Sequence, residues 1–249
     1  MITCTERMKN TNTTINNMAD TNDMIKVMRL LQFTDSQFPV GTFSFSNGLE
    51  TASFEKMVTD AKSLEEFTRS QSHQAAFSDG VAALHAFRAA SRKDYEECKK
   101  IDKFLYAFKM NDEARLMGTR MGKKLAELGV RLYSDELIKL WLDDINRGET
   151  PGMYPVAQGM MFSIAGVSEK DLFCSHQYGV INMVLGAALR CVKVSHYDTQ
   201  LILEKLSDDV EQLYNEASVM ALDDMNAFYP ELDILASLHE KGNMRMFMN

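Results

Sequence analysis

The histidines are the side chains of this chain best suited to proton transfer or metal binding. The five are His73, His85, His176, His196 and His239. A zinc-protease helix needs two histidines four residues apart. His239 and Glu240 begin such a pattern, but Asn243 stands where the second histidine would be required. A di-iron bundle would need a Glu-x-x-His pair on two helices, and this repeat is missing as well. We therefore expect no metal site.

Other reactive groups also lack the spacing that catalysis needs. Asp223 and Asp224 are adjacent, so they do not share a helix face on which to hold a Mg²⁺ ion. Gly118 and Gly122 are not followed by the Lys-Ser or Lys-Thr pair of a phosphate-binding loop. The four cysteines show no Cys-x-x-Cys spacing, which indicates reduced thiols in a cytoplasmic protein. We predict a non-enzyme with no catalytic residues and no cofactor.

Unusual segments lie near the two ends of the chain. Residues 34–48 contain Pro39, Gly41 and Gly48, which favour a loop. The same segment carries four large apolar residues, Phe38, Val40, Phe43 and Phe45. A surface loop rarely has so many, so the segment either packs into the core or forms a contact surface. Residues 223–249 form a tail that is also rich in aromatic residues and methionine.

The residues between these two ends are predicted to form helices. Proline is rare and helix-forming residues are abundant, whereas strand-like alternation is hard to find. We expect an all-α fold, a single bundle of about 8–10 helices. One helix should begin near Leu64, with Ser63 and Glu66 as its capping box, and end at a break around Asp79 and Gly80.

Three further helices carry specific expectations. Gly129 should end the helix that starts at Asn111. Residues 134–145 should point Leu137, Leu140 and Trp141 inward. Residues 172–194, the most apolar stretch, should lie at the centre of the bundle or at a subunit interface.

Composition limits the partners. The chain has 249 residues with 45% hydrophobic and 25% charged residues, the mix of a soluble globular protein. Its net charge of −8 argues against nucleic acid, which needs a basic surface, and suits a partner with a basic face. No apolar run of membrane-spanning length is evident, so we expect no membrane association. Residues 1–23 are polar and should form a disordered arm, and residues 24–249 should form one domain with a C-terminal tail.

Four blocks, in order along the chain, resemble the UreF family of urease accessory proteins. Residues 30–50 read LLQFTDSQFPVGTFSFSNGLE, residues 111–122 NDEARLMGTRMG, residues 154–159 YPVAQG, and residues 230–240 PELDILASLHE, followed by RMF at 245–247. The chain departs from the family pattern at Phe45, where a histidine is usual, at Leu238, where an arginine is common, and across residues 190–200, where Arg190 and Gln200 can still be matched.

The resemblance implies an all-α protein that dimerises. It also implies a complex with a UreD-type protein (also called UreH) and the GTPase UreG, which docks on apo-urease while GTP hydrolysis accompanies nickel transfer. In such a complex this chain would be a bridging adaptor.

The resemblance and the residue types suggest one set of partner-binding residues. It comprises Phe38, Pro39, Gly41, Phe43, Phe45, Gly48, Arg190, Gln200, His239, Glu240, Arg245 and Phe247. Arginine and aromatic residues are favoured in binding hot spots. For His239, Glu240 and Arg245 an equal alternative is an internal network that pins the tail to the bundle. Glu113 and Arg115 are expected to face solvent.

A different class of function would be a helical enzyme of the haem-oxygenase or thiaminase type. It would need a polar pocket with perturbed carboxylates or histidines inside the bundle. A wholly apolar interior would exclude it.

Overall fold

The computed structural model describes residues 23–41, 44–226, 229–240 and 246–247, apart from the side chain of Glu240. Within these ranges the chain is helical and has no strand. The helices are α1 (residues 23–34), α2 (Leu49–Phe54), α3 (Ala61–Ala75), α4 (Val81–Ser91), α5 (Tyr95–Phe108), α6 (Asp112–Leu132), α7 (Glu136–Arg147), α8 (Tyr154–Ala165), α9 (Glu169–Cys191), α10 (His196–Ser207), α11 (Val210–Ala217) and α12 (Pro230–Glu240). The all-α prediction is confirmed, with more helices than expected.

Helix α8 lies at the centre, packed along α4 and α6. Nine of its twelve residues are buried, from Pro155 to Ala165. A methyl group on Gly159 would lie 2.4 Å from the carbonyl oxygen of Ala83, so only glycine lets α4 and α8 approach this closely. Trp141, Phe162 and Phe173 complete the main core and are almost fully buried.

A second apolar cluster joins the two ends of the chain. It holds Leu49 of α2, Leu64 of α3, Leu185 of α9, Leu235 of α12 and Phe247 of the tail. Residues nearly two hundred positions apart in sequence therefore share one small core, and this core positions the loop and the tail described below.

The expected break at Asp79 and Gly80 is wrong. A π-helical turn, Ala76–Gly80, links α3 directly to α4. Gly80 is buried, and a methyl group there would lie 2.9 Å from the ring of Phe173. Glycine serves close packing here, not a turn.

The expected start of α3 is also wrong by one helical turn. Asp60 caps the helix and forms the capping box with Ser63, so α3 begins at Ala61. The carboxylate of Asp60 accepts a hydrogen bond from a free backbone amide of the first turn. We had expected the hydroxyl of Ser63 to fill this role.

Two other local predictions fail for packing reasons. Gly129 does not end α6, which continues to Leu132; a methyl group at Gly129 would lie 2.4 Å from the sulfur of Met161. Leu140 is 44% exposed, although Trp141 is buried as predicted. Pro230 begins α12 because proline fits the first turn of a helix, where no amide hydrogen bond is lost.

Helix α9 passes a length and composition test for a membrane span, contrary to the expectation that no stretch would. Of the 18-residue window that passes, 56% is buried inside the protein. This burial is what a core helix shows, and α9 packs against α2, α3 and α8.

Candidate docking site

The loop after α1 is anchored by aromatic packing. The ring of Phe38 meets that of Phe33 edge-on, with centroids 5.6 Å apart, and Phe33 contacts Phe162 of α8 at 5.1 Å. Phe38 is half-buried, whereas Pro39 and Gly41 are exposed. Gly41 has φ +89°, a left-handed conformation that favours glycine. Pro39 and Gly41 therefore form an exposed loop tip beside the half-buried ring of Phe38.

The end of the same loop turns into the core. Phe45 is buried, 3% exposed. Gly48 has φ +77°, and a methyl group there would lie 3.2 Å from both the amide nitrogen of Ala236 and Cβ of Leu235. Backbone conformation and the closeness of α12 both require glycine at this point. Thus Phe45 and Gly48 fix the loop against the C-terminal helix.

A buried triad of charged residues joins α2, α6 and α12, and we call Glu50, Glu113 and His239 the tail clasp. Nε2 of His239 lies 2.9 Å from Oε2 of Glu50, and Nδ1 lies 3.1 Å from Oε2 of Glu113. The side chain of His239 is only 3% exposed and that of Glu113 7%. Each ring nitrogen of His239 therefore faces a glutamate carboxyl group, and the imidazole links α12 to both α2 and α6.

Glu50 extends the tail clasp to the last residues of the chain. Its carboxylate accepts hydrogen bonds from the backbone amides of Met246 (2.7 Å) and Phe247 (3.1 Å). Burial alone would raise the pKa of Glu50, but the hydrogen bonds from His239 and these amides outweigh it and lower that pKa. The guanidinium of Arg190 lies 4.1 Å from the centroid of the Phe247 ring, a cation–π contact.

Helix α1 adds an apolar surface that the sequence reasoning did not single out. Met24, Val27, Met28 and Leu31 are each more than half exposed, and Ile25 is 46% exposed. Scattered surface apolar residues are ordinary, but five within one helix form a patch typical of protein contacts. The signal was present in the sequence as an apolar helix, and only burial could show that it faces outward.

A cavity of about 200 Å³ connects these features. Its walls include Phe33 of α1, Phe38 of the loop that follows α1, and Tyr178 and Gly186 of α9. Arg190, which stacks on Phe247, also lines it. We use the name front face for four features together: α1, the loop tip at Pro39 and Gly41, this cavity, and the Arg190–Phe247 contact.

The structure brings most of the sequence-predicted residues into this region. Phe38, Pro39, Gly41, Phe45 and Gly48 belong to one loop, and Arg190, His239 and Phe247 belong to the tail contacts. Gln200 is exposed on α10, which packs on α3 and α9.

Phe43, Arg245 and the side chain of Glu240 lie outside the described residues. For His239 the internal network exists as proposed. Glu113 was expected in solvent and is instead buried in that network. Glu50 was also overlooked as a site residue, although it closes the first sequence block.

A wholly apolar interior would have excluded a helical enzyme. The interior contains polar residues, so this criterion alone does not exclude one. A second cavity contains His176, and burial lowers the pKa of that residue to about 4. Among the described residues, however, no group of three or more His, Cys, Asp or Glu could hold a metal ion.

Comparisons with known proteins decide between these classes. A family model described as UreF matches residues 58–207. The chain is 47% identical over 223 residues to urease accessory protein UreF 2 of Brucella canis, covering 90% of this chain and 92% of the relative. It is 40% identical to urease accessory protein UreF of Yersinia enterocolitica, covering 98% of that relative. These relatives are named accessory proteins, which confirms a non-enzymatic role and overturns the enzyme alternative.

Proposed function

Since this chain belongs to the UreF family and is a urease accessory protein, we propose that it is the adaptor of urease maturation. In this role it binds a UreD-type protein and the GTPase UreG at once and supports GTP-dependent insertion of nickel into apo-urease. The observation that supports the proposal is the apolar surface of α1, where Met24, Val27, Met28 and Leu31 are each more than half exposed.

The chemistry of the front face suits a stable protein contact. Exposed methionines adapt to irregular partner surfaces, and an arginine stacked on an aromatic ring is a frequent hot-spot arrangement. The buried tail clasp keeps the tail in position before the partner arrives, which lowers the ordering cost of binding.

The test is co-purification of the full chain with a tagged UreD-type protein, followed by addition of UreG. A double variant, Met28→Glu with Leu31→Glu, should abolish capture of the UreD-type protein while the circular dichroism spectrum stays unchanged. These side chains are 66% and 58% exposed, so their replacement leaves the core intact.

A matched control changes apolar residues elsewhere. Val219, which follows α11, and Leu140 of α7 are 82% and 44% exposed, and their replacement by glutamate should leave capture intact. If both double variants still capture the partner, the front face is not the docking surface. If the wild-type chain captures neither protein, the adaptor role is wrong.

We also propose that the chain is a cytoplasmic homodimer. Cys98, Cys174 and Cys191 are free thiols, as a reducing compartment would keep them. Sedimentation equilibrium of the purified chain should give twice the monomer mass of 28.2 kDa, and a monomer at all concentrations would contradict the dimer.

A further inference from the structure

The second cavity lies inside the bundle, between the π-helical turn, α6, α8, α9 and α12. Its volume is about 130 Å³, enough for a small organic molecule. Five methionines line it; Met110 is 73% exposed, and the four cavity methionines that are at least partly buried are Met117, Met121, Met153 and Met183. Thioether side chains give it adaptable, apolar walls.

Three residues that line this cavity carry a buried polar atom without a hydrogen-bond partner in the described part of the chain. Nε2 of His176, Oγ of Ser175 and Oε1 of Gln74 are buried and have no hydrogen-bond partner among the described residues. His176 and Ser175 are each 4% exposed. A buried polar atom without a partner costs free energy, so three of them on one cavity point to a ligand that donates hydrogen bonds.

The protonation state of His176 is set by its surroundings. Nδ1 lies 2.9 Å from Oε1 of Gln158, which accepts its hydrogen. Burial lowers the pKa of His176 to about 4, while the charges of Asp79 and Lys109 act on it in opposite directions. The ring is therefore neutral at neutral pH and turns the lone pair of Nε2 toward the cavity.

The charges on the cavity wall do not cancel. Lys109 pairs with Asp79, at 2.6 Å. Asp233 is the second carboxyl group, and it receives only amide hydrogen bonds, from Asn111 at 3.2 Å and from Gln74 at 3.5 Å. Burial raises the pKa of Asp233, despite the nearby charge of Lys109. Two carboxyl groups on the cavity wall, those of Asp79 and Asp233, thus share the ammonium group of Lys109.

We propose that this cavity binds a primary alkylammonium group, with the cation at the Asp233 end and the apolar stem against the methionines. An ammonium head has three N–H donors for the acceptors, and its charge complements the carboxylate. The source is either a free small amine or the side chain of a lysine from a partner protein. The inference stands on the cavity alone and does not depend on the adaptor role.

Other ligand classes fit less well. A metal ion would need a cluster of three or more His, Cys, Asp or Glu, which the described part of the chain does not provide. An anion would face Asp233 and acceptor atoms, and a neutral apolar molecule would leave the three acceptors unsatisfied.

The test is a titration of the full chain, labelled with ¹³C at the methionine methyl groups, with n-butylammonium chloride. The methyl resonances of the four cavity methionines should shift and saturate, with a dissociation constant on the order of 1 mM for so small a ligand. n-Butanol has the same stem without the charge and should cause no saturable shift. Equal binding of the two compounds would overturn the proposal.

Variants test the charge. Asp233→Asn keeps the shape of the side chain and should weaken butylammonium binding about 10-fold, the loss of one charge-assisted hydrogen bond. Asp224→Asn makes the same charge change at an exposed position outside the cavity and should have no effect. Equal affinity of the wild type and Asp233→Asn would contradict the proposal; should that variant misfold, the comparison with butanol in the wild type still decides.

A third set of probes separates the sources. Lysine blocked at both backbone ends presents only its side-chain ammonium. If it shifts the same resonances as butylammonium, a partner's lysine is the ligand; if only butylammonium does so, a free amine is. If zinc chloride shifts them and neither amine does, the alkylammonium assignment is wrong.

Discussion

At the scale of single residues, Glu50 of α2 connects both α12 and the tail. It accepts one hydrogen bond from His239 of α12 and two from backbone amides of the tail. Because a carboxylate can accept several donors at once, a single side chain fixes both a helix and the segment after it. Removing one partner of such a buried ionic group typically costs about 3–5 kcal/mol.

We predict that Glu50→Gln releases the tail. Met246 and Phe247 donate to different oxygens of Glu50, so the –NH₂ group of glutamine would oppose one of these two amides whichever way it is turned. Hydrogen exchange of these two amides, followed by mass spectrometry, should become fast while α4 and α8 stay protected. Glu231→Gln changes the same charge at an exposed position of α12 and should leave exchange slow. Slow exchange in both variants would show that Glu50 does not hold the tail.

The same contact should depend on pH. The pKa of Glu50 is lowered from 4.5 in the folded chain, so the stabilisation is present above pH 4.5 and is lost as pH falls through the lowered value. The protection of the two tail amides in the wild type, taken relative to the intrinsic exchange rate at each pH, should therefore fall in acid, below 4.5. In Glu50→Gln this acid-dependent step should be absent.

At the scale of elements, the close approach of backbones determines how tightly the core helices pack. Gly159 of α8 lies so close to Ala83 and Phe87 of α4 that any side chain would force the helices apart. We predict that Gly159→Ala destabilises the protein by about 1–3 kcal/mol, measured by chemical denaturation. Gly186→Ala in α9, where a methyl group meets no atom within 4 Å, should be neutral or stabilising by up to about 1 kcal/mol. Equal effects of both changes would refute the packing argument.

The sequence predicted most helices because their signals are local. The helix predicted for residues 134–145, for example, is present as α7. The failures at Gly80, Gly129 and Leu140 arose because burial depends on neighbours that are distant in sequence. The tail clasp was beyond reach for the same reason: His239 lies 126 positions from Glu113 and 189 from Glu50. Order along the chain cannot reveal such a triad, although each member lies in a block that the family resemblance had marked.

At the scale of the whole molecule, the proposed docking would use surface charge and the apolar front face for separate tasks. The chain carries 35 acidic and 27 basic residues, a net charge of −8. Charge acts over a distance of roughly 10 Å and steers a basic partner toward the surface. The exposed side chains of α1 act only on contact, so they should determine how long the complex lasts.

This separation predicts how salt affects binding of the UreD-type protein. Raising ionic strength should lower the association rate about 10-fold and leave the dissociation rate nearly unchanged, measured by surface plasmon resonance. Replacing Asp223 and Asp224 with lysine brings the net charge of −8 closer to zero and should reduce association at low salt. Met28→Glu should mainly accelerate dissociation, because it removes apolar contact area. An association rate that is insensitive to salt would mean that the acidic surface does not steer this partner, and that apolar contact alone brings the two proteins together.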